Sequence, residues 1–325
     1  MAVHVFQVSE ENYQICLKRG LVAIPEPKDG ARQYNNIFDG LLSRMACIKN
    51  NDYILMYVIG KKELRGVWQA DGNPFYEATQ VWMDRLYPFR CRIKVTDYNF
   101  SEFLNLYDIN DLVNSEQIWT WALSRATGSN AMFSISDSEF NVLLNEYIKI
   151  NPFSSSQSYI AEPYPYREGN IVDMIHVDKD MPKYEYSVMT LLNDAFCNKR
   201  FRELFGQYTD FLSYVPTNRG REMDIMLIYG NPKDVNRIMA YDIIEVKRDV
   251  FDGKALAQLI DYESWFLQKK VAGDLKMVRT TAIAKEFSNE VIDYVKKRSS
   301  FESKPIKLLT YSYSNEHGIN LSLID

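Results

Sequence analysis

Three side chains on two apolar stretches carry the clearest chemistry in this sequence. Asp224 interrupts the run Met223, Ile225, Met226, Leu227 and Ile228, while Glu245 and Lys247 close the run Ile243, Ile244 and Val246. Ionisable groups on strands that apolar are costly unless they are used. The stretches EMDIMLIY and YDIIEVK are joined by GNPKDVNRIMA, whose Gly-Asn-Pro start marks a turn. Antiparallel pairing about a loop centre near residue 235 sets Asp224 across from Glu245 and Val246. Residues two apart on a strand share a face, so Glu245 and Lys247 point the same way. Two carboxylates and an ammonium then converge. Hydrolysis of a phosphodiester asks for such a set: a divalent cation to offset phosphate charge, and a water made nucleophilic. Asp224 and Glu245 offer hard oxygen ligands for Mg²⁺ (or Mn²⁺), which keeps several waters and uses one or two carboxylates. Lys247 orients or deprotonates the attacking water. The same E-x-K at the exposed end of a strand is also a common solvated pair, and it is the apolar context that favours chemistry.

The elements that must hold these residues lie after Pro182. The periodicity predicts one long helix from about Tyr184 to Phe205, strands at FLSYV, EMDIMLIY and YDIIEVK, and a helix from Gly253 to about Lys269. A strand at MVRTTAIA, a helix at SNEVIDYVKKR and a strand at IKLLTYSYS complete the order αβββαβαβ. On the second helix Gln258 and Tyr262 stand at i, i+4 and so stack on one face. Arg219, Arg221, Lys233, Arg237 and Arg248 flank the two central strands as candidate phosphate contacts, which position a nucleic acid without reading its sequence. Any one of them alone is better explained as part of a solvated basic face.

GREMDIML, then YDIIEVKRD, then ALAQLIDYESW, in an αβββαβ order, resembles the PD-(D/E)xK nuclease superfamily, and most its NucS-type and RecB-type members with a downstream Q-x-x-x-Y. The likeness covers roughly residues 184 to 315. It implies a restriction-endonuclease-like mixed sheet, with Asp224, Glu245 and Lys247 as the metal and catalytic residues. Gln258 and Tyr262 become active-site support near the scissile phosphate. Glu185 matches an extra helix carboxylate of some members, although a glutamate at a helix start is ordinarily a dipole-favoured surface charge. The family's proline before the first acid is absent, since Glu222-Met223-Asp224 stands there.

The first hundred residues alternate short strands with turn signals, HVFQV, YILMYVIG, LRGVWQADGNP and FRCRIKV, around a helix ENYQICLKRG stopped by Gly20. Helical spacing from Ser101 to Ile150 packs onto them, so a small barrel with helices is expected over residues 1 to 150. The Ser-, Pro- and Tyr-rich stretch 151–183 reads as a linker, and 184–325 as the second domain. The fold class is α+β, or α/β for the second unit. Aromatics crowd the loop edges of the first unit: Trp68, Phe75, Tyr76, Trp82, Tyr87 and Phe89. Most tryptophans in a small barrel are core, yet a base out of its stack needs aromatic walls and hydrogen bonds to its edge. VFQVSEENYQICLKRG, QYNNIF, YILMYVIGKKELRGVWQ and VWMDRLYPFRCRIKV resemble the EVE and YTH group of PUA-like domains, which enclose a modified nucleobase in an aromatic cage. By that likeness Trp82 and Tyr87 are two cage walls and Asn35 bonds the base edge. The family's G-V-W is Gly20-Leu21-Val22 here, so Trp68 is the candidate for the missing wall.

Composition narrows the classes around this reading. The 325 residues are 46% hydrophobic, 14% aromatic and 25% charged, with net charge −5, which describes folded protein of about two domains and no uniformly basic coat. Cys16, Cys47, Cys91 and Cys197 contain no C-x-x-C pair, so neither a zinc site nor a disulfide framework is suggested. His4, His176 and His317 are too far apart for histidine-based nuclease or protease motifs. No leader or membrane span is apparent, and a cytoplasmic location is expected. A modified-base reader joined to a nuclease implies a modification-dependent DNA restriction endonuclease in host defence, working as a homodimer because one active site per chain cuts one strand. A structure-specific or mismatch repair endonuclease, and a non-catalytic DNA-binding protein, are the other classes open.

Overall fold

Alternation decides where the N-terminal strands bury their side chains. Along β1 (Val3–Val8), Val3 and Val5 enter one core and Phe6 and Val8 another, so both faces of the strand are covered. The computed structural model describes residues 2–324 apart from 99, 124–130, 153–161, 163–168, 218–220, 232, 303 and 317, with the backbone alone at 235 and 236. The chain forms two units, Met1–Ile175 and His176–Asp325.

The first unit continues with α1 (Glu10–Arg19), β2 (Leu21–Ile24), α2 (Tyr34–Met45), β3 (Tyr53–Val58), β4 (Glu63–Ala70), β5 (Phe75–Tyr76) and β6 (Phe89–Val95). It closes with β7 (Leu104–Asn105), α3 (Leu106–Asn114), β8 (Met132–Ile135) and α4 (Asp137–Ile150). Ser9 caps α1 and Gly20, left-handed at φ 62°, turns the chain straight into β2. The sheet order is β2-β6-β4-β3-β1-β8, with β5 on β6 and β7 on β4; β1 and β3 pair in parallel. One face packs against Cys16 of α1 and Phe38, Leu42 and Met45 of α2. The other packs against Ile109 and Leu112 of α3 and Phe140, Leu143 and Tyr147 of α4. The unit is a mixed sheet with helices on both faces, and in β3 Ile54 and Met56 serve one core and Leu55 and Tyr57 the other. Among the described residues β2 and β8 are not joined.

Residues 153–161 and 163–168 of the expected linker 151–183 fall outside the described residues. Of the rest, Ile171–Met174 forms a 3₁₀ turn packed on the first core, with Asn170 bridging Phe75.

The second unit opens with a ribbon of β9 (Val177–Asp178) and β10 (Met181–Pro182), then α5 (Glu185–Cys197) and α6 (Arg202–Phe205). The single helix expected over Tyr184–Phe205 breaks in two because Asn198 caps α5 and Lys199 is left-handed at φ 56°. There follow β11 (Asp210–Pro216), β12 (Glu222–Asn231), β13 (Asp234–Val246), β14 (Val250–Phe251) and α7 (Gly253–Lys269). The chain ends with β15 (Val278–Ala284), β16 (Glu286–Phe287), α8 (Asn289–Glu302), β17 (Ile306–Ser314) and β18 (Gly318–Leu323). The main sheet has the order β11-β12-β13-β15-β17-β18. β13, β15 and β17 run parallel, joined by α7 and α8, and the outer strands are antiparallel. β13 starts seven residues earlier than expected, at Asp234, so most of GNPKDVNRIMA is strand; register shifts at Tyr229/Gly230 and Gly230/Asn231 absorb the irregularity. The edge strand β18 has no signal in GINLSL because only Ile319 is buried. Among the described residues no helix is long and apolar enough to cross a membrane.

Candidate active site

The hairpin of β12 and β13 pairs Ile225 with Ile244 and so brings Asp224 opposite Glu245. The Val246 N–H donates to Asp224 Oδ2 at 2.8 Å, which ties the first carboxylate to the strand carrying the second. Glu245 is 1% exposed; its Oε1 receives Lys247 Nζ at 2.7 Å. The second oxygen, Oε2, is buried with no hydrogen-bond partner among the described residues. Lys247 also donates to the Val246 carbonyl at 2.9 Å and lies 3.5 Å from Glu185 Oε1. Glu185 opens α5, the position where the macrodipole favours an acid. The fold thus draws three carboxylates around one ammonium.

The electrostatics follow from crowding charge in a place with little water. Burial pushes Asp224 up to about 7, with Glu185 adding to the rise while Lys247 and the Val246 amide pull against it. Burial and then the neighbouring Asp224 hold Glu245 well above the ordinary glutamate range. Burial alone would lower Lys247, but Glu245, Asp224 and Glu185 together raise it above an ordinary lysine.

The backbone around Asp224 is fixed from two sides. Ser213 Oγ donates to the Asp224 carbonyl at 3.1 Å. The next residue of β11, Tyr214, adopts φ 57° and drops out of the ladder opposite Asp224. A bulky residue in the left-handed region costs on the order of 1–2 kcal/mol, and such backbone strain clusters at functional positions. From α7, Tyr262 donates its hydroxyl to the Glu222 carbonyl at 2.8 Å, and Gln258 Nε2 donates to Tyr262 at 2.9 Å. Tyr262 therefore acts on the strand start that carries Asp224, and Gln258 stands half-buried beside it. Neither Tyr214 nor Ser213 has a signal in the sequence, because a left-handed tyrosine within an apolar run looks like any strand residue.

The basic residues divide. Arg221 is exposed and 3.8 Å from Asp261; Lys233 and Arg237 are exposed on the hairpin. Arg248 is engaged within the unit by Asp249, at 2.9 Å from Nε, and by the Lys183 carbonyl. Arg219 lies outside the described residues, as does His317.

Among the described residues no group of three or more His, Cys, Asp or Glu side chains is arranged to hold a metal ion. Mg²⁺ asks for less, since one or two carboxylates with waters and substrate phosphate oxygens complete its shell. The unpartnered Glu245 Oε2, facing Asp224 across the hairpin, fits that requirement. A buried carboxylate oxygen without a donor is costly unless a cation or donor meets it.

In the first unit the expected base-binding residues take other parts. Trp82 is 1% exposed; its ring centroid is 5.0 Å from that of Tyr87, at 42°. Arg90 lies over the Trp82 ring, 5.5 Å from its centroid, and Tyr87 gives its hydroxyl to Asp84 at 2.8 Å while accepting from Asn12 at 2.8 Å. Trp68 is 9% exposed within the same core, and Asn35 is exposed in the first turn of α2. The structure thus joins Trp82 to Tyr87 as packing, and it leaves Asn35 on the surface.

No protein-family model matches the chain, and no curated protein matches it. Among solved structures it is similar to a repair endonuclease from Pyrococcus abyssi, at 18% identity and TM-score 0.27, over 37% of this chain and 45% of that one. It is also similar to a structure described as an EndoMS-dsDNA2 complex, at 15% identity and TM-score 0.25, over 36% of this chain and 44% of that one. The chain spans less than half the length of either.

Proposed function

We propose that the chain is a divalent-cation-dependent DNA endonuclease whose phosphodiester hydrolysis is carried out by Asp224, Glu245 and Lys247. The observation that carries this reading is their convergence, with Glu245 Oε2 buried and unpaired beside Asp224 and Lys247 Nζ 2.7 Å from Glu245. Asp224 and Glu245 would hold Mg²⁺ or Mn²⁺, which supplies charge to offset the phosphate and to acidify a bound water. Lys247 presents N–H donors where negative charge develops in the pentacoordinate transition state, a role worth roughly 10²–10³ in rate for comparable donors. Glu185 and Glu245 fix where that ammonium stands. Tyr262, with Gln258 behind it, holds the Glu222 carbonyl and so the approach of Asp224. Arg221, Lys233 and Arg237 offer phosphate contacts at the same hairpin.

Double-strand cutting by this arrangement takes two chains, and a homodimer is part of the proposal. Dependence on a modified base, the restriction reading, is supported by the likeness of residues 2 to 100 to EVE and YTH domains. The experiment is cleavage, with Mg²⁺ or Mn²⁺, of one plasmid prepared unmodified, adenine-methylated, cytosine-methylated and hydroxymethylated, alongside Lys247→Ala. Cutting of one form only, lost in Lys247→Ala, is expected for a modification-dependent enzyme. Equal cutting of all forms moves the assignment to a repair-type endonuclease. Cutting that survives Lys247→Ala sinks the assignment of the site.

A further inference from the structure

The face of the second sheet that carries Glu245 has a separate feature at the other end of its strands. A cavity of about 530 Å³ opens between α8 and the starts of β15 and β17. Its walls on this face are apolar: Leu275, Val278, Ile292, Val295 and Ile306. Cavities of 300–1,000 Å³ with mostly apolar walls and a few placed polar groups are the usual form of small-molecule sites.

Two polar features break the apolar wall. Thr280 lines the cavity, is 3% exposed, and its Oγ1 has no hydrogen-bond partner among the described residues. Pairing of Thr280 with Ile243 and of Ala282 with Glu245 sets this hydroxyl on the α7–α8 side of the sheet. A buried hydroxyl left unpaired costs stability that a ligand acceptor recovers. The second feature is positive charge at the rim. Lys296 of α8 borders the cavity, is exposed, and has no ion pair among the described residues. Lys304 borders it too and reaches Glu263 Oε1 at 3.0 Å, but Glu263 already serves Arg298 at 2.6 Å.

The other charged residues around the cavity are engaged elsewhere. Strand alternation turns the Asp242 carboxylate to the opposite face, where Thr281 Oγ1 donates to it at 2.9 Å. On that face Lys307 donates to the Leu204 carbonyl at 2.8 Å and Arg279 stacks 4.6 Å over Tyr229. The rim above the apolar walls is therefore left with the ammonium group of Lys296, since Lys304 is paired with Glu263 Oε1 at 3.0 Å.

The geometry points to a binding site for a small amphipathic anion, its hydrocarbon body in the cavity, its sulfonate, phosphate or carboxylate at Lys296, and an acceptor at Thr280. This goes beyond the nuclease reading and does not depend on it, and its test contains no cleavage step. The probe is 8-anilinonaphthalene-1-sulfonate, titrated by fluorescence into the full chain, against N-phenyl-1-naphthylamine, the same aryl body without the sulfonate. The anion is expected to bind once per chain and at least about tenfold tighter than the neutral amine. Ile292→Trp, which fills the cavity, abolishes that binding, and Lys296→Glu weakens it about tenfold with an unchanged melting temperature. Equal binding of the two dyes, no binding of the anion, or unchanged binding in Lys296→Glu would overturn the proposal. Lys296 is at the surface, so the last comparison stands even if Ile292→Trp fails to fold.

Discussion

Asp224→Asn should make the folded protein more stable, because the native carboxylate sits where charge is penalised. Burial raises Asp224 from its ordinary 3.8 to about 7. At about 1.4 kcal/mol for each tenfold change, a rise of roughly three on the pH scale is on the order of 4 kcal/mol. A group whose folded pKa is raised favours the folded state below its unfolded pKa and loses that advantage as pH climbs through the folded one. For Asp224 the loss falls between about pH 4 and pH 7. Asparagine keeps an oxygen for the Val246 amide, now 2.8 Å from Oδ2, and removes the charge. Urea unfolding without divalent cations, at pH 8 and pH 5, measures the effect. Asp224→Asn should exceed the parent by about 2–4 kcal/mol at pH 8, with the gain shrinking toward pH 5. Millimolar Mg²⁺ should then stabilise the parent and not the variant, since a cation bound only by the native state adds RT ln(1 + [L]/Kd). A variant no more stable at pH 8, or a gain that ignores pH, refutes the reasoning about the cluster.

Three further outcomes are expected. Tyr262→Phe loses the bond to the Glu222 carbonyl but keeps the buried ring, so unfolding should show a cost of about 1 kcal/mol, and any cleavage should slow without being lost. Glu185→Gln removes one arm of a half-exposed pair 3.5 Å from Lys247; urea unfolding should place it within about 1 kcal/mol of the parent. Trp82→Ala empties a core position of the first unit and should cost about 3–5 kcal/mol of that unit's stability by calorimetry. An unchanged melting profile with weakened DNA binding would instead return Trp82 to a base pocket.

The meeting of Asp224, Glu245 and Lys247 in the second unit was legible because charge on an apolar strand is anomalous. Asp224 and Glu245 stood out from their neighbours, and a hairpin centre near residue 235 was enough to pair them, as the Ile225–Ile244 register shows. Glu185 could be suspected but not placed, since its meeting with Lys247 depends on how α5 lies on the sheet. Tyr214 and Ser213 were invisible, because a strained φ and a hydroxyl-to-carbonyl bond are made by tertiary packing. In the first unit the residues were more ambiguous: Trp82 and Tyr87 in a loop fit a cage or a core by type, and the structure sets their rings 5.0 Å apart. The helices expected over residues 101–150 do pack on the strands, where α3 and α4 cover Leu55 and Tyr57.

The central claim, that Asp224, Glu245 and Lys247 form a cation-dependent hydrolytic site, is tested most directly by nicking of supercoiled plasmid DNA in Mn²⁺ or Mg²⁺. The parent is compared with the Asp224→Asn protein, whose folding its urea transition checks. The account predicts strand scission by the parent that EDTA stops, and none by Asp224→Asn. Scission by Asp224→Asn at the parent's rate, or scission indifferent to EDTA, would contradict it.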